Sequence, residues 1–147
     1  MKLFHFCADH LLESIQREGL TQGCITIPED GSVKIISPTQ WLTEDSNRDN
    51  QEWCHPEYST LPYDRCANLL TVVIPKSSRA NLRRWTDCGP LLVPRAHYEM
   101  LNSFGDPSKY WLYFGRMPPS WIRSCERLGA RWGVSAYSEK LLGGVGA

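Results

Sequence analysis

Lys2-Leu-Phe-His-Phe-Cys-Ala-Asp-His-Leu-Leu-Glu-Ser-Ile-Gln-Arg-Glu-Gly-Leu20 opens the chain, and its reading decides the fold. Residues 2–7 alternate, with Leu3, His5 and Cys7 on one face and Phe4 and Phe6 on the other, which predicts a strand. Asp9 is placed to cap a following helix by accepting a bond from a free backbone N–H. Leu11, Leu12 and Ile15 predict its apolar stripe, and Glu13 and Arg17 an i,i+4 pair on the wet side. Gly19 fits the left-handed position that closes a helix, and Leu20 then packs back on the stripe.

Beyond this unit the chain reads as short strands with a few short helices. Gly23 to Ile27 predicts a strand, Pro28-Glu-Asp-Gly31 a turn, Val33 to Ile36 a further strand and Thr39-Gln-Trp-Leu-Thr43 another. Residues 44–64 are polar and aperiodic yet carry Trp53, His55, Tyr58 and Tyr63. A loop of that length inside a domain is usually functional or mobile, and a solvated linker rarely holds so many rings. Asn68 to Ile74 is nearly continuous in apolar and β-branched residues, which predicts a central strand buried on both faces. A helix is expected over Arg79–Trp85, capped by Ser77 or Ser78, and a second over Arg95–Phe104 with Tyr98 and Leu101 on one face. Lys109 to Phe114 predicts a strand closed by Gly115, and Met117 to Ile122 an extended segment. Residues 125–137 add a last strand or turn, and 143–147 read as a frayed end. Helices that do not alternate regularly with strands predict an α+β class.

The chain has 147 residues, which implies one domain. Sixteen basic residues balance sixteen acidic ones, which argues against a general nucleic-acid coat but leaves room for a local basic patch. The six cysteines, at 7, 24, 54, 66, 88 and 125, show neither CxxC nor zinc-ligand spacing. With no leader pattern and no run of about 18 apolar residues, they read as reduced thiols of a cytoplasmic protein without a membrane span. A disulfide framework is the minor alternative.

No phosphate loop, GxSxG, HExxH or dinucleotide glycine fingerprint is present, so chemistry rests on looser constellations. A histidine at position 5, before a helix start, can hold a ligand by a ring nitrogen; the plain alternative is a half-buried strand histidine bonded to a backbone carbonyl. Arg65 can fork onto a pyrophosphate or pair with Asp64. Trp41, Trp53, Tyr58 and Tyr63 can wall a base pocket or simply fill core and loop. Arg79, Arg83 and Arg84 offer a nucleic-acid contact or a solvated helix face. Cys54 beside His55 suggests a thiol with its base, but adjacent side chains point apart.

Leu3-Phe-His-Phe-Cys7 followed by Leu11-Leu-Glu-Ser-Ile-Gln-Arg-Glu-Gly-Leu20 resembles the opening of ADP-ribosyltransferase-fold proteins, and most of all the branch of toxins that ADP-ribosylate single-stranded DNA. Gln40-Trp-Leu-Thr43 is similar to the second strand of that fold, and Leu69 to Pro75 and Tyr110 to Pro119 fit its split-sheet core. The resemblance implies NAD as cofactor. His5 then binds the nicotinamide ribose, Trp41 or Tyr63 stacks on nicotinamide and Arg65 meets phosphate, with Cys7 and Thr43 lining the same site. Cys7 stands where the family usually has Thr or Ser. No Glu lies on an evident late strand, so the transfer-orienting carboxylate falls to Glu52 or Glu126. The implied activity is ADP-ribosyl transfer to a protein or nucleic-acid acceptor, as in a toxin or a phage counter-defence factor acting in a host cytoplasm. The alternative is a non-enzymatic inhibitor on the same fold that engages a host protein or nucleotide through its aromatic loop.

Overall fold

A computed structural model describes residues 1–133. The expected frayed end at 143–147, and the part of 125–137 beyond Gly133, lie outside the described residues.

The opening unit forms as its pattern dictates. Strand β1 spans Lys2–Cys7 and helix α1 spans Asp9–Glu18. Leu12 and Ile15 are buried, but Leu11 is 41% exposed, so the stripe is narrower than predicted. Asp9 does not cap α1. The N-cap is Ala8 with no side-chain bond, and the Asp9 carboxylate instead accepts from Asn68 Nδ2 at 2.8 Å. Arg17 pairs with Glu18 at 3.2 Å rather than with Glu13. Gly19 closes the helix at φ 85°, and a Cβ there would run into the carbonyl of Met117. That close approach lets Leu20 and Met117 form a two-way backbone bridge.

Six strands make one antiparallel sheet. They are β1, β4 (Thr39–Thr43), β5 (Asn68–Val73), β6 (Leu82–Arg84), β7 (Tyr110–Phe114) and β8 (Ile122–Arg127), in the order β6-β7-β4-β1-β5-β8. Strands β2 (Ile25–Glu29) and β3 (Ser32–Ile36) form a separate hairpin. Pro28 and Glu29 join this ladder, so the turn shrinks to Asp30-Gly31. β5 is interior as expected, but β1 and β4 are the central pair.

One sheet face carries Leu3, Cys7, Leu42, Leu70, Val72, Leu82 and Tyr113 against α1 and Met117. The other carries two clusters. Around Leu112 gather Ile25 and Ile27 of the hairpin, Trp85 and Val93, with Trp41, Tyr98 and Leu101 beside them. Around Leu69 gather Phe4, Phe6, Trp53, Cys54 and Cys66. The result is α+β: an antiparallel sheet with helices on its faces. Among the described residues no helix is long and apolar enough to cross a membrane.

The helix expected at Arg79–Trp85 is three elements. A 3-10 stretch over Lys76–Asn81 is N-capped by Pro75 with no Ser77 or Ser78 side-chain bond; β6 follows, and then helix α2 at Trp85–Leu92. The open edge of β7 explains this, since pairing Leu82 with Tyr113 satisfies that edge and buries Leu82. Helix α3 spans Arg95–Asn102, two residues shorter than expected, with Tyr98 and Leu101 half-buried against the Trp85 cluster. The segment from Met117 is a bridge and a 3-10 turn at Pro119–Trp121, and β8 starts at Ile122.

Trp85 is fully buried between Trp41 at 4.8 Å and Tyr98 at 5.2 Å, and its Nε1–H donates to Asn102 Oδ1 at 2.7 Å. Trp85→Ala should therefore cost about 3–5 kcal/mol, read as a lower urea midpoint at unchanged slope.

Candidate functional site

β1 and β4 meet at a single register pair, Phe4↔Thr43, whereas β1 pairs with β5 along its whole length. Towards Cys7 on one strand and Thr39 on the other the ladder is interrupted. The His5 ring stands in that gap. Its Nδ1–H donates to the Trp41 carbonyl at 2.8 Å. A carbonyl only accepts, so Nδ1 holds the proton of the neutral ring and Nε2 presents a lone pair. Burial pulls the His5 pKa down, and the bond to Trp41 offsets this in part, so the ring is neutral near pH 7. No described residue bonds Nε2. The plain reading of His5, a half-buried strand histidine bonded to a backbone carbonyl, is the one this geometry shows.

The other expected residues are placed as follows. Trp41 meets His5 through its backbone, while its ring packs against Trp85 and edge-on to Tyr110 at 6.3 Å. Thr43 is buried beside Phe4, and its Oγ1 accepts from Asp45 N–H at 3.0 Å. Burial, with Cys125 and Asp9 adding to it, pushes the Cys7 thiol up to about 12, so it stays protonated in the core. Tyr63 stands edge-on to His10 of α1, ring centres 4.5 Å apart.

Arg65 is the most informative charge. It is half-buried, donates to the Trp53 carbonyl at 3.0 Å and stacks over the Trp53 ring at 4.7 Å. Its Nε is buried without a partner. Burial pulls its pKa down, and Tyr63 raises it in part. No described carboxylate pairs with it, because Asp64 is taken by Arg131 at 3.0 Å. A desolvated cation without a counterion favours an anionic ligand.

The acids do not converge on His5. Glu52 is exposed, on a 3-10 turn at Glu52–Cys54. Glu126 lies on a late strand, β8, at the start of the stretch where a last strand or turn is expected. It is exposed opposite Leu69, which in turn faces Phe6. Directly opposed residues share a face, so Glu126 lies on the Phe6 side of the sheet and His5 on the other.

The 44–64 segment is ordered rather than a plain loop. The Cys54–Cys66 disulfide ties it to the start of β5, which corrects the reading of six reduced thiols and removes Cys54 as a nucleophile. Arg131 closes it from the other side, bonding both Asp64 oxygens, while Trp132 Nε1–H donates to the Cys54 carbonyl at 3.3 Å. Cys54, Asp64 and Cys66 lie together, but the two sulfurs are bonded to each other. The Asp64 oxygens are filled by Arg131 and the Cys66 N–H, so the group does not fit a metal. On the basic face, Arg84 stacks over Trp111 at 4.5 Å and lies 3.8 Å from Glu44, which occupies part of its charge.

Sequence reasoning missed the bond between Asn68 and Asp9 and the pairing of Arg131 with Asp64. Asn68 carried a legible signal, an amide at the head of the most apolar strand. Arg131 carried none. The chain matches no family model, no curated protein and no solved structure.

Asp64 is fully buried; burial alone would raise its pKa, but the bonds from Arg131 and Cys66 outweigh that and hold it below the usual range. Its stabilising contribution is therefore complete above the unfolded carboxyl value of about 3.9 and is lost as pH falls through the lower folded value. Arg131→Ala strands a buried carboxylate and should cost about 3 kcal/mol near neutral pH. Because the stranded acid then has a raised pKa, part of that loss should return on acidification towards about pH 4, as read by urea unfolding at the two pH values.

Proposed function

We propose that this chain is an NAD-binding, ADP-ribosyltransferase-like domain that modifies a protein or nucleic-acid acceptor. The observation that carries the reading is His5. Its ring is neutral, oriented by the Trp41 carbonyl, and offers Nε2 as an acceptor at the break between β1 and β4. A ribose hydroxyl donates to such a nitrogen. Arg65 supports the reading as a desolvated cation that a pyrophosphate would neutralise. Tyr63 and the aromatic loop supply the ring surface for the base or nicotinamide. Trp41 is the weaker stacking partner, because its ring already packs against Trp85. In the reaction the bond between nicotinamide and ribose breaks, nicotinamide leaves, and the acceptor nucleophile bonds to the ribose carbon. A carboxylate near that carbon steadies the developing positive charge. Glu126, on the late strand, and Glu52, on the loop, are the two candidates for it.

A second reading is favoured by a specific observation. Both acids are exposed, and Glu126 lies on the sheet face away from His5. A domain arranged this way binds nucleotide without transfer, as an inhibitor that engages a host protein or nucleotide through the aromatic loop.

Incubation with labelled NAD and cell lysate separates the two. The enzyme reading expects label on protein or nucleic acid, lost in His5→Ala and reduced in the Glu variant that carries the reaction. The binding reading expects NAD affinity without label. In either case His5→Ala should weaken NAD by about tenfold, the worth of one hydrogen bond, and Arg65→Ala by about 10–100-fold, that of a charge-assisted pair. No label and no affinity would overturn both.

A further inference from the structure

Two kinds of structure cover the Cys54–Cys66 disulfide, and both of its cysteines are 0% exposed. The first is sheet core: the pair packs with Phe6 of β1 and Leu69 of β5. That cover opens only if the sheet itself comes apart. The second is residues 128–133, which have no regular secondary structure. Leu128 packs on the same cluster, and the N–H groups of Leu128 and Gly129 share one acceptor, the Ala67 carbonyl, each at 3.0 Å. Arg131 Nη2–H donates to Cys54 Sγ at 3.2 Å, while its backbone and guanidinium N–H groups hold Asp64. Trp132 Nε1–H donates to the Cys54 carbonyl at 3.3 Å. Gly133 lies so near Pro62 that a Cβ there would stand 2.6 Å from the Pro62 carbonyl oxygen. Residues 128–133 therefore touch Cys54, the loop between the two cysteines and the residue that follows Cys66.

This second cover is also the one that moves at least cost. Gly129 and Arg131 are exposed, and Ala130, Trp132 and Gly133 are half-buried. Gly129 at φ 84° and Gly133 at φ 71° put left-handed backbone at both ends of the stretch that meets Cys54 and Asp64. A segment held by a few polar bonds near the surface opens locally, far more often than the whole domain unfolds. Its hinges are a few terminal residues that absorb the change in backbone angle.

We propose that residues 128–133 are a strap that gates thiol–disulfide exchange at Cys54–Cys66, which makes this disulfide a redox switch for the loop it closes. With the strap down, a thiolate reaches neither sulfur. With it lifted, one thiolate of a dithiol reductant attacks a sulfur of the pair, and the other cysteine leaves. The second thiol of the reductant then displaces the mixed disulfide. The reductant ends as a disulfide, and its two electrons and two protons end on Cys54 and Cys66. Residues 55–65, with Tyr58, Tyr63 and Arg65, are then no longer tied at both ends. This device stands apart from the nucleotide reading.

The test follows reduction of the full chain by dithiothreitol, in native buffer and in urea below the unfolding transition. Alkylation stops the reaction, and peptide mass spectrometry reads Cys54 and Cys66. Each rate is divided by that of the same chain fully unfolded, which removes differences in intrinsic reactivity. The wild-type rate should be nearly flat in urea, the mark of a local opening. Trp132→Phe, which keeps a ring and removes one donor, should react about fivefold faster. Arg131→Ala should react about 100-fold faster. Chymotrypsin should cut after Tyr58 and Tyr63 at least about tenfold faster once the bond is reduced. A wild-type rate that climbs with urea along the unfolding slope shows that the bond is reached only by global unfolding, and overturns the gate. Variant rates equal to wild type overturn it too. Cleavage unchanged by reduction overturns the switch, and free Cys54 and Cys66 thiols in a chain purified without reductant overturn both. If Arg131→Ala does not fold, Trp132→Phe and the wild-type urea profile decide.

Discussion

The interaction on which the sheet depends is the junction between β1 and β4. Three strands lie on each side of it, β6-β7-β4 and β1-β5-β8. Among the described residues, the register pair Phe4↔Thr43 and the side-chain bond from His5 to the Trp41 carbonyl link the two strands, and Leu42 packs with Leu3 across the seam. A sheet that stops pairing in its middle leaves backbone groups that something must satisfy. His5 does this for Trp41, and the same bond fixes its tautomer and turns Nε2 into an acceptor. The structural duty and the proposed ligand-binding duty of this ring are therefore one arrangement.

On the Phe4 and Phe6 face of the sheet, the 44–64 segment packs through Trp53 and Cys54. The Cys54–Cys66 disulfide anchors it to β5, and the buried Asp64–Arg131 pair closes it from the C-terminal side. Because Arg131 takes Asp64, no described carboxylate pairs with the neighbouring Arg65, which stacks on Trp53. The two arginines differ by what is left for them. Arg131 pairs with a buried carboxylate, whereas Arg65 meets a backbone carbonyl and an indole ring.

Much of the frame was legible in the sequence. The alternation in residues 2–7 and the unbroken apolar run from Leu69 placed β1 and β5, and Thr39 to Thr43 matched β4 residue for residue. These are strands whose side-chain pattern is set by burial on known faces. β6 was not legible. Leu-Arg-Arg has no strand pattern of its own, and its conformation is imposed by the free edge of β7. The cap at Asp9 failed for a similar reason, since Asn68, distant in sequence, competes for the carboxylate. Within the site, His5 was visible because of its position in a strand before a helix. The contacts of Arg65 with Trp53 were not, because adjacent Asp64 suggested a pair and only the fold brings Arg131 to it. Glu126 acquired its strand from pairing with Leu69, a long-range contact that local sequence does not encode.

The most direct test of this account reads the His5 ring itself. Long-range nitrogen–proton NMR of the imidazole, near neutral pH and with NAD added to saturation, reports which nitrogen holds the proton and which meets ligand. The account predicts a neutral ring with the proton on Nδ1, and an Nε2 resonance that shifts when NAD is added. A proton on Nε2, a doubly protonated ring, or an Nε2 resonance unmoved by saturating NAD would contradict it.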